Sequence, residues 1–204
     1  MKSKLRGPDI LLQEAAKVGS IELCTLALSC GATNLNNLLI QSSLVGNESL
    51  CILAKEWGAT DFNEMLRVAA KGGHESICIL AKEWGAKDFG KMLKYAAENG
   101  YENLCRLAKA WGDPTRGDIS IQIELDKNGN LYIAKEWEAL DFEKMLKHAS
   151  LGGHENICRL AKEWGAVDVH RMLFNAKKEG HENICKLARE WGAMDYYTKY
   201  LYSD

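Results

Sequence analysis

Three histidine–cysteine pairs have the residue types and the spacing that a metal site would need. His74, His154 and His181 are each followed by a glutamate and, four residues on, by a cysteine. Residues at i and i+4 share one face of a helix, so each pair offers two of the four ligands of a zinc site. The alternative is structural: the thiol is a small buried hydrophobe and the imidazole bonds backbone groups at a turn.

The pairs belong to a repeat, and the repeat favours the structural interpretation. Tryptophan recurs at steps of 27, 27, 26, 27 and 27 residues, at Trp57, Trp84, Trp111, Trp137, Trp164 and Trp191. Cysteine keeps the same period, at Cys24, Cys51, Cys78, Cys105, Cys158 and Cys185. Helices in neighbouring repeats pack about 8–10 Å apart, which is too far for shared zinc ligands or for disulfides along the column. We therefore expect seven reduced cysteines, no metal site and no cofactor.

A catalytic site finds no support in the sequence. The Cys, His and Glu of any one repeat recur in its siblings, as packing positions do. The Gly-Gly pairs follow predicted helices and do not follow strands, which argues against a phosphate-binding loop. A tryptophan that recurs once per repeat on an apolar stripe indicates packing and not a ligand cage. We expect a protein that is not an enzyme.

Composition narrows the class of protein further. The 204 residues carry a formal net charge of −2, so no global field attracts the chain to nucleic acid or to an anionic membrane. No run approaches the ~18 apolar residues of a spanning helix, and no apolar run follows the basic N-terminal residues. Seven cysteines without an export signal indicate a reducing compartment. We expect a soluble, intracellular, cytoplasmic monomer without membrane contact.

Each repeat divides into two amphipathic helices. In the repeat that ends at Trp84, five apolar residues from Phe62 to Ala70 lie at i, i+3, i+4, i+7 and i+8, which is one helix face. Asp61 precedes this face as an N-cap, and Glu64 completes the sequence pattern of a capping box. A Gly-Gly pair ends the first helix, and the glycine after Trp84 ends the second.

The expected fold is therefore all-α, an α-solenoid of about seven helix-turn-helix repeats in one elongated domain over residues 1–204. The repeats cover about residues 5–31, 32–58, 59–85, 86–112, 113–138, 139–165 and 166–192, and residues 193–204 form a C-terminal cap. The fifth repeat is degenerate. In the first repeat Cys30 occupies the tryptophan position.

The consensus A-A-x-x-G-H-E-x-I-C-x-L-A-K-E-W-G-A resembles the ankyrin repeat. The residues that carry the likeness in one copy are Ala69, Ala70, Gly73, His74, Glu75, Ile77, Leu80, Gly85 and Ala86. An ankyrin repeat has about 33 residues, so about six are missing, at the place of the family's β-hairpin finger. The resemblance implies an ankyrin-like, hairpin-less α-solenoid whose first helices are capped by Asp61, Asp88, Asp141 and Asp168. The A-K-E-W-G-A arrays also resemble those of large DNA viruses of amoebae, notably marseilleviruses, which implies a viral protein.

The resemblance implies a non-enzymatic protein-interaction module, because ankyrin-type arrays bind partners through the first helices on their concave side. The partner would be an unidentified host or viral protein. First-helix positions that vary between repeats are mostly basic, with aromatic residues interleaved; the candidates are Arg67, Lys91, Lys94, Tyr95, Lys144, Lys147, His148, Arg171 and Phe174. Nucleic acid is the alternative partner of this basic stripe. A purely structural role, favourable to the helix dipole and to solubility, is the third interpretation.

Residues 113–133 depart from the repeat. The residues from Ile119 to Leu125 alternate between apolar and polar, a period typical of a strand. Residues 126–130, D-K-N-G-N, are typical of a tight turn, and residues 131–133 would return as a second strand. This pattern predicts a β-hairpin or irregular excursion that separates four repeats from two at an irregular seam, with its edge open to a partner strand. The alternative is an eroded helix pair, which the preserved spacing of 26 residues from Trp111 to Trp137 favours.

Overall fold

The chain divides into two compact units built from helix pairs. The computed structural model describes residues 7–112, 123–125, 131–133 and 141–194, and the units comprise Met1–Lys87 and Asp88–Asp204. The helices of the first are α1 (Gly7–Val18), α2 (Ile21–Ser29), α3 (Leu35–Leu44), α4 (Glu48–Glu56), α5 (Phe62–Gly72) and α6 (Glu75–Glu83). The second contains α7 (Phe89–Glu98), α8 (Glu102–Gly112), β1 (Ile123–Leu125), β2 (Leu131–Ile133), α9 (Phe142–Gly152), α10 (Glu155–Glu163), α11 (Val169–Glu179) and α12 (Glu182–Glu190). The described residues thus hold six helix pairs, and the single domain over residues 1–204 stays a prediction.

Side chains at the start of each first helix explain where it begins. Asp61 Oδ1 accepts a hydrogen bond from the N–H of Glu64 at 3.2 Å, and the aspartates before α7, α9 and α11 cap their helices in the same way. The predicted N-caps are confirmed. The predicted capping box is wrong, because the N–H of Asp61 donates to Asn36 Oδ1 of the preceding repeat and the Glu64 carboxylate pairs with Arg67.

Small and aliphatic side chains form the core between the two helices of a pair. In α5 and α6, the side chains of Met65, Leu66, Ala69, Ile77 and Cys78 are fully buried. Alanine and cysteine at these positions bring helices close together, because interaxial distance follows the size of the side chains at the contact. No helix within the described ranges is long and apolar enough to cross a membrane.

A pair of strands lies where the sequence departs from the repeat. β1 pairs with β2 antiparallel, in the register Ile123↔Ile133, Glu124↔Tyr132 and Leu125↔Leu131. The predicted β-hairpin is therefore confirmed for residues 123–125 and 131–133, and the eroded helix pair is wrong there. Residues 119–122 and the turn at 126–130 lie outside the described residues.

Helix stacking nevertheless continues past this excursion, so the predicted irregular seam is wrong. Helix α9 packs against α7 as it packs against α11. His154 Nε2 lies 3.0 Å from the carbonyl oxygen of Glu98, a residue 56 positions earlier. In the next repeat the equivalent contact joins His181 and the carbonyl oxygen of Leu151, 30 positions apart. The excursion is thus inserted between two repeats that contact each other as regular neighbours.

Candidate functional site

The histidines singled out as metal ligands join successive repeats. His74 Nε2 lies 3.1 Å from the carbonyl oxygen of Leu44, and His181 Nε2 lies 2.8 Å from that of Leu151. Both carbonyls are near the C-terminal ends of the preceding first helices, where helix carbonyls lack intrahelical partners. The ring also covers the turn of the preceding repeat, where a Cβ on Gly46 would lie 2.7 Å from the His74 ring. The expected bond to turn backbone is confirmed, and its partner belongs to the neighbouring repeat.

Burial makes the repeated cysteines poor nucleophiles and poor metal ligands. Six of the seven are buried within helix pairs, while Cys30 is exposed at the end of α2. Desolvation raises the pKa of Cys78, Cys105 and Cys158 to about 12 and that of Cys51 to about 11. Such thiols stay protonated at neutral pH, whereas the thiolate is the reactive form. Among the described residues, no three His, Cys, Asp or Glu side chains are grouped as a metal site would require.

The tryptophans pack at the helix ends and are covered by lysines. Trp84 lies edge-on to Phe62 with ring centroids 5.5 Å apart, and Trp164 repeats this contact with Phe142 at the same distance. Lys55 Nζ, from the preceding repeat, lies 4.4 Å from the centroid of the Trp84 ring. Since the rings are half-buried, the packing interpretation is confirmed. Lys55, Lys109 and Lys162 are more than solvated residues, because each lies over the tryptophan ring of a following repeat, and a cation over a ring is stabilising.

A second polar column joins the repeats, and the apolar pattern of the sequence did not reveal it. Asn36 Oδ1 accepts hydrogen bonds from the backbone N–H groups of residues 60 and 61, at 2.8 and 3.1 Å. Asp9 and Glu143 bond the residues 24 and 25 positions after them, at 2.6–3.2 Å. The sequence signal that could have predicted these bonds between repeats is a polar residue two positions after the N-cap. In the fourth repeat this residue is Gly90, and the one 24 positions later is Pro114, which has no N–H.

Five of the cations on the first helices of the second unit are here called the basic row: Lys91, Lys94, Lys144, Lys147 and Arg171. Lys91 Nζ lies 2.5 Å from Asp88 Oδ2, and Lys144 Nζ lies 3.5 Å from Asp141 Oδ2. Lys94, Lys147 and Arg171 have no carboxylate within 4.0 Å among the described residues. Three candidate binding residues, one on each of α7, α9 and α11, thus carry charge without a counter-ion from those parts of the chain.

The remaining candidates lie beside the row or in the other unit. Tyr95 and Phe174 are half-buried, and Lys94 Nζ lies 4.9 Å from the centroid of the Tyr95 ring. The side chain of His148 is only 15% exposed, with Nδ1 3.6 Å from Glu98 Oε2. Arg67, in the first unit, is ion-paired to Glu64 on its own helix.

Electrostatics at His148 show that cations of the row converge on this part of the face. Burial is the largest cause that lowers its pKa, and Lys94, Lys147 and Lys144 lower it further, while Glu98 opposes them. A lysine lowers the pKa of an imidazole only where its positive charge disfavours the protonated form. Lysines of α7 and α9 therefore lie close enough to this ring to disfavour its protonated form.

A pocket of about 210 Å³ opens between the N-terminal turns of α9 and α11. Three members of the basic row, Lys144, Lys147 and Arg171, line it together with apolar Leu146 and Met172. The two N-cap aspartates at its edge already accept hydrogen bonds from their own helices. The carboxylate of Glu143 also lines the pocket, and it accepts hydrogen bonds from the N–H groups of Val167 and Asp168. The three lining carboxylates are thus all hydrogen-bonded to backbone, and they stand beside three cations and two buried apolar side chains.

The second helices of the two units expose different side chains, which are ion-paired arginines in the second unit and isoleucines in the first. In the second unit, Arg106 pairs with Glu102 and Arg159 with Glu155, each at 2.7 Å, and Asn156 donates to Glu102 across the repeats at 3.0 Å. In the first unit, the residues that follow the cysteines of α4 and α6 are Ile52 and Ile79, which are 37% and 38% exposed. Arg106 and Arg159 on the second helices are thus paired within their own helices, unlike Lys94, Lys147 and Arg171 of the basic row, which have no carboxylate partner among the described residues.

Comparison with known proteins supports the fold. The crystal structure of the human ASB11 ankyrin repeat domain is similar over 90% of this chain and 84% of that chain, with a TM-score of 0.57 and 18% sequence identity. Identity this low shows the fold alone, which is an ankyrin-like, all-helical solenoid with the strand pair added at the fifth repeat. No family model matches the chain, and no curated protein matches it.

Proposed function

We propose that this protein is a non-enzymatic scaffold that binds another protein through the first helices of its second unit. The observation that carries the proposal is the basic row, in which Lys94, Lys147 and Arg171 lack carboxylates among the described residues. On the second helices of the same unit, Arg106 and Arg159 are paired within their own helices. Extended faces of stacked repeats are the surfaces that repeat proteins use for recognition.

Capture of partners from the native cell tests this proposal. The tagged full chain is compared with Lys94→Glu/Lys147→Glu and with a control, Arg106→Glu/Lys186→Glu, which changes the net charge equally on the second helices. Circular dichroism verifies that both variants fold. We expect the row variant to lose a partner, identified by mass spectrometry, that the control retains. Equal capture by all three would overturn the proposal and direct attention to the exposed Ile52 and Ile79.

Nucleic acid is the second candidate partner, because phosphates would use the same three cations, Lys94, Lys147 and Arg171. Titration of fluorescent DNA and RNA oligonucleotides between 50 and 200 mM salt distinguishes the two. Phosphate contacts give a log–log slope near −1 per contact, whereas a protein partner with an apolar contact gives a shallow one. A steep slope that Lys94→Glu/Lys147→Glu abolishes would establish nucleic acid as the ligand.

The setting we infer is the cytoplasm of an infected host cell, with a host or viral protein as the partner. This rests on the likeness of the A-K-E-W-G-A array to those of large DNA viruses and on six buried free thiols, which suit a reducing compartment. Immunofluorescence through an infection time course tests the location. Light scattering tests the further inference of a monomer, expected at the 22.8 kDa of the chain.

A further inference from the structure

Three cations without a carboxylate partner in the described part of the chain lie on the first helices α7, α9 and α11 of the second unit. Lys94 lies on α7, Lys147 on α9 and Arg171 on α11. The helices pack directly against each other in that order. Lys94 and Lys147 occupy the same position of their repeats, while Arg171 lies one helical turn earlier in its repeat and lines the pocket beside Lys147. The charges therefore form a line across the helices, spaced by the packing of the repeats.

That spacing matches an extended peptide. Packed helices lie about 8–10 Å apart, and an extended chain rises about 3.3 Å per residue, so three residues span about 10 Å. An acidic residue at every third position would meet one cation per repeat. His148 lies on α9 one residue after Lys147, and its pKa is lowered by burial and then by Lys94, Lys147 and Lys144, against Glu98.

Resting on the proposed function, we infer that the docking segment of the partner is an extended acidic peptide, with carboxylates at every third residue. One carboxylate meets Lys94 and the next meets Lys147, while a third lies in the pocket between α9 and α11 beside Arg171. The pocket volume of about 210 Å³ accommodates one side chain. Charge complementarity sets this choice, because Lys94, Lys147 and Arg171 have no counter-ions among the described residues.

Synthetic peptides test the spacing directly. The probe is fluorescein-labelled (Glu-Ser-Gly)4, and the matched controls are (Gln-Ser-Gly)4 and a peptide of the same composition whose four glutamates are contiguous. Anisotropy titration with the full chain at low salt should give the tightest binding for the spaced acidic peptide. Lys147→Gln should weaken it about fivefold, near the upper limit for one partly exposed charge pair, and Lys186→Gln should leave it unchanged.

Amide chemical shifts on titration locate the site, and changes should concentrate on α7, α9 and α11. Contiguous glutamates that bind as tightly as spaced ones, or shifts centred on the second helices, would overturn the inference. So would tighter binding of labelled (dT)12 than of the spaced peptide, since that result favours a phosphate backbone. If the cellular partner is lost in Lys94→Glu/Lys147→Glu while the spaced peptide does not bind, the proposed function stands and only the acidic-peptide inference fails.

Discussion

Replacing Gly100 by alanine should destabilise the protein more than the same change at Gly180. The two glycines follow α7 and α11 at the same position of the repeat, with φ of +80° and +79°. A Cβ on Gly100 would lie 2.6 Å from His154 Nδ1, whereas a Cβ on Gly180 meets nothing within 4 Å among the described residues. The pair therefore separates backbone strain from the contact between repeats.

The magnitudes follow from these two terms. Left-handed backbone costs a non-glycine residue about 1–2 kcal/mol, and this cost applies to both variants. At Gly100 the ring of His154 must also move, which breaks its contact with the carbonyl oxygen of Glu98 at 3.0 Å. Loss of that hydrogen bond costs about 1 kcal/mol, and overpacking adds about 1 kcal/mol or more. We expect Gly100→Ala to lose about 3–4 kcal/mol and Gly180→Ala about 1.5 kcal/mol.

A double-mutant cycle isolates the contact itself. His154→Ala alone should cost about 1.5–2 kcal/mol, through the lost hydrogen bond and packing. In the Gly100→Ala background the cost of His154→Ala should fall to near zero, because the new methyl has already displaced the His154 ring and broken its hydrogen bond. The coupling free energy should therefore be about 1.5 kcal/mol or more in magnitude. The same cycle with Gly180→Ala should be additive.

Urea unfolding followed by circular dichroism and by tryptophan fluorescence provides the free energies of unfolding. Coincident transitions are required before a two-state free energy is taken from either probe. Equal losses at Gly100 and Gly180, or an additive cycle between Gly100 and His154, would refute the idea that the histidine and the turn glycine interlock. If the idea is refuted in this way, hydrogen exchange of the Gly100→Ala variant should also show no loss of protection in α7.

Three further predictions concern the thiols and the polar column. In the native protein only Cys30 should react rapidly with a thiol reagent, and the six buried thiols should react on unfolding; several fast thiols would contradict their burial. Cys105 has a folded pKa of about 12 against an ordinary value of 9.0, so its contribution is fully present below pH 9 and is lost as pH rises towards 12. Between pH 8 and 10 the free energy of unfolding should therefore fall by about 1.4 kcal/mol less in Cys105→Ala than in the parent, and equal falls would disprove the shift. Asn36→Ala should lower the free energy of unfolding by about 1–2 kcal/mol, because two hydrogen bonds are lost. Asn36→Asp should be tolerated, since Asp9 makes the same bonds in its own repeat. Urea unfolding of both variants tests this.

Local chemistry carried most of the fold prediction. Asp61 caps α5 because its side chain and the N–H of Glu64 are three residues apart, and such contacts can be read from neighbours in the sequence. The helix faces follow from the period of apolar residues, and the strand pair follows from alternation around a turn. These features depend on residues close together in the chain, so the sequence by itself determined the repeat and its two helices. For residues 123–125 and 131–133 the sequence left a helix pair as the alternative, and the structure shows the strand pair.

Contacts between repeats depended on the tertiary structure. Nothing local indicates that His154 bonds Glu98, 56 positions earlier, because that contact requires the excursion to leave α7 and α9 adjacent. For the same reason the N–H of Asp61, which a capping box would donate to Glu64, donates instead to Asn36 of the preceding repeat. Arg106 and Glu102 are four residues apart on one helix, so their pairing can be read from the sequence. Lys147 likewise follows Glu143 by four residues. Only the tertiary structure decided that Glu143 instead accepts hydrogen bonds from backbone N–H groups of the next repeat, because those bonds depend on distances that folding sets.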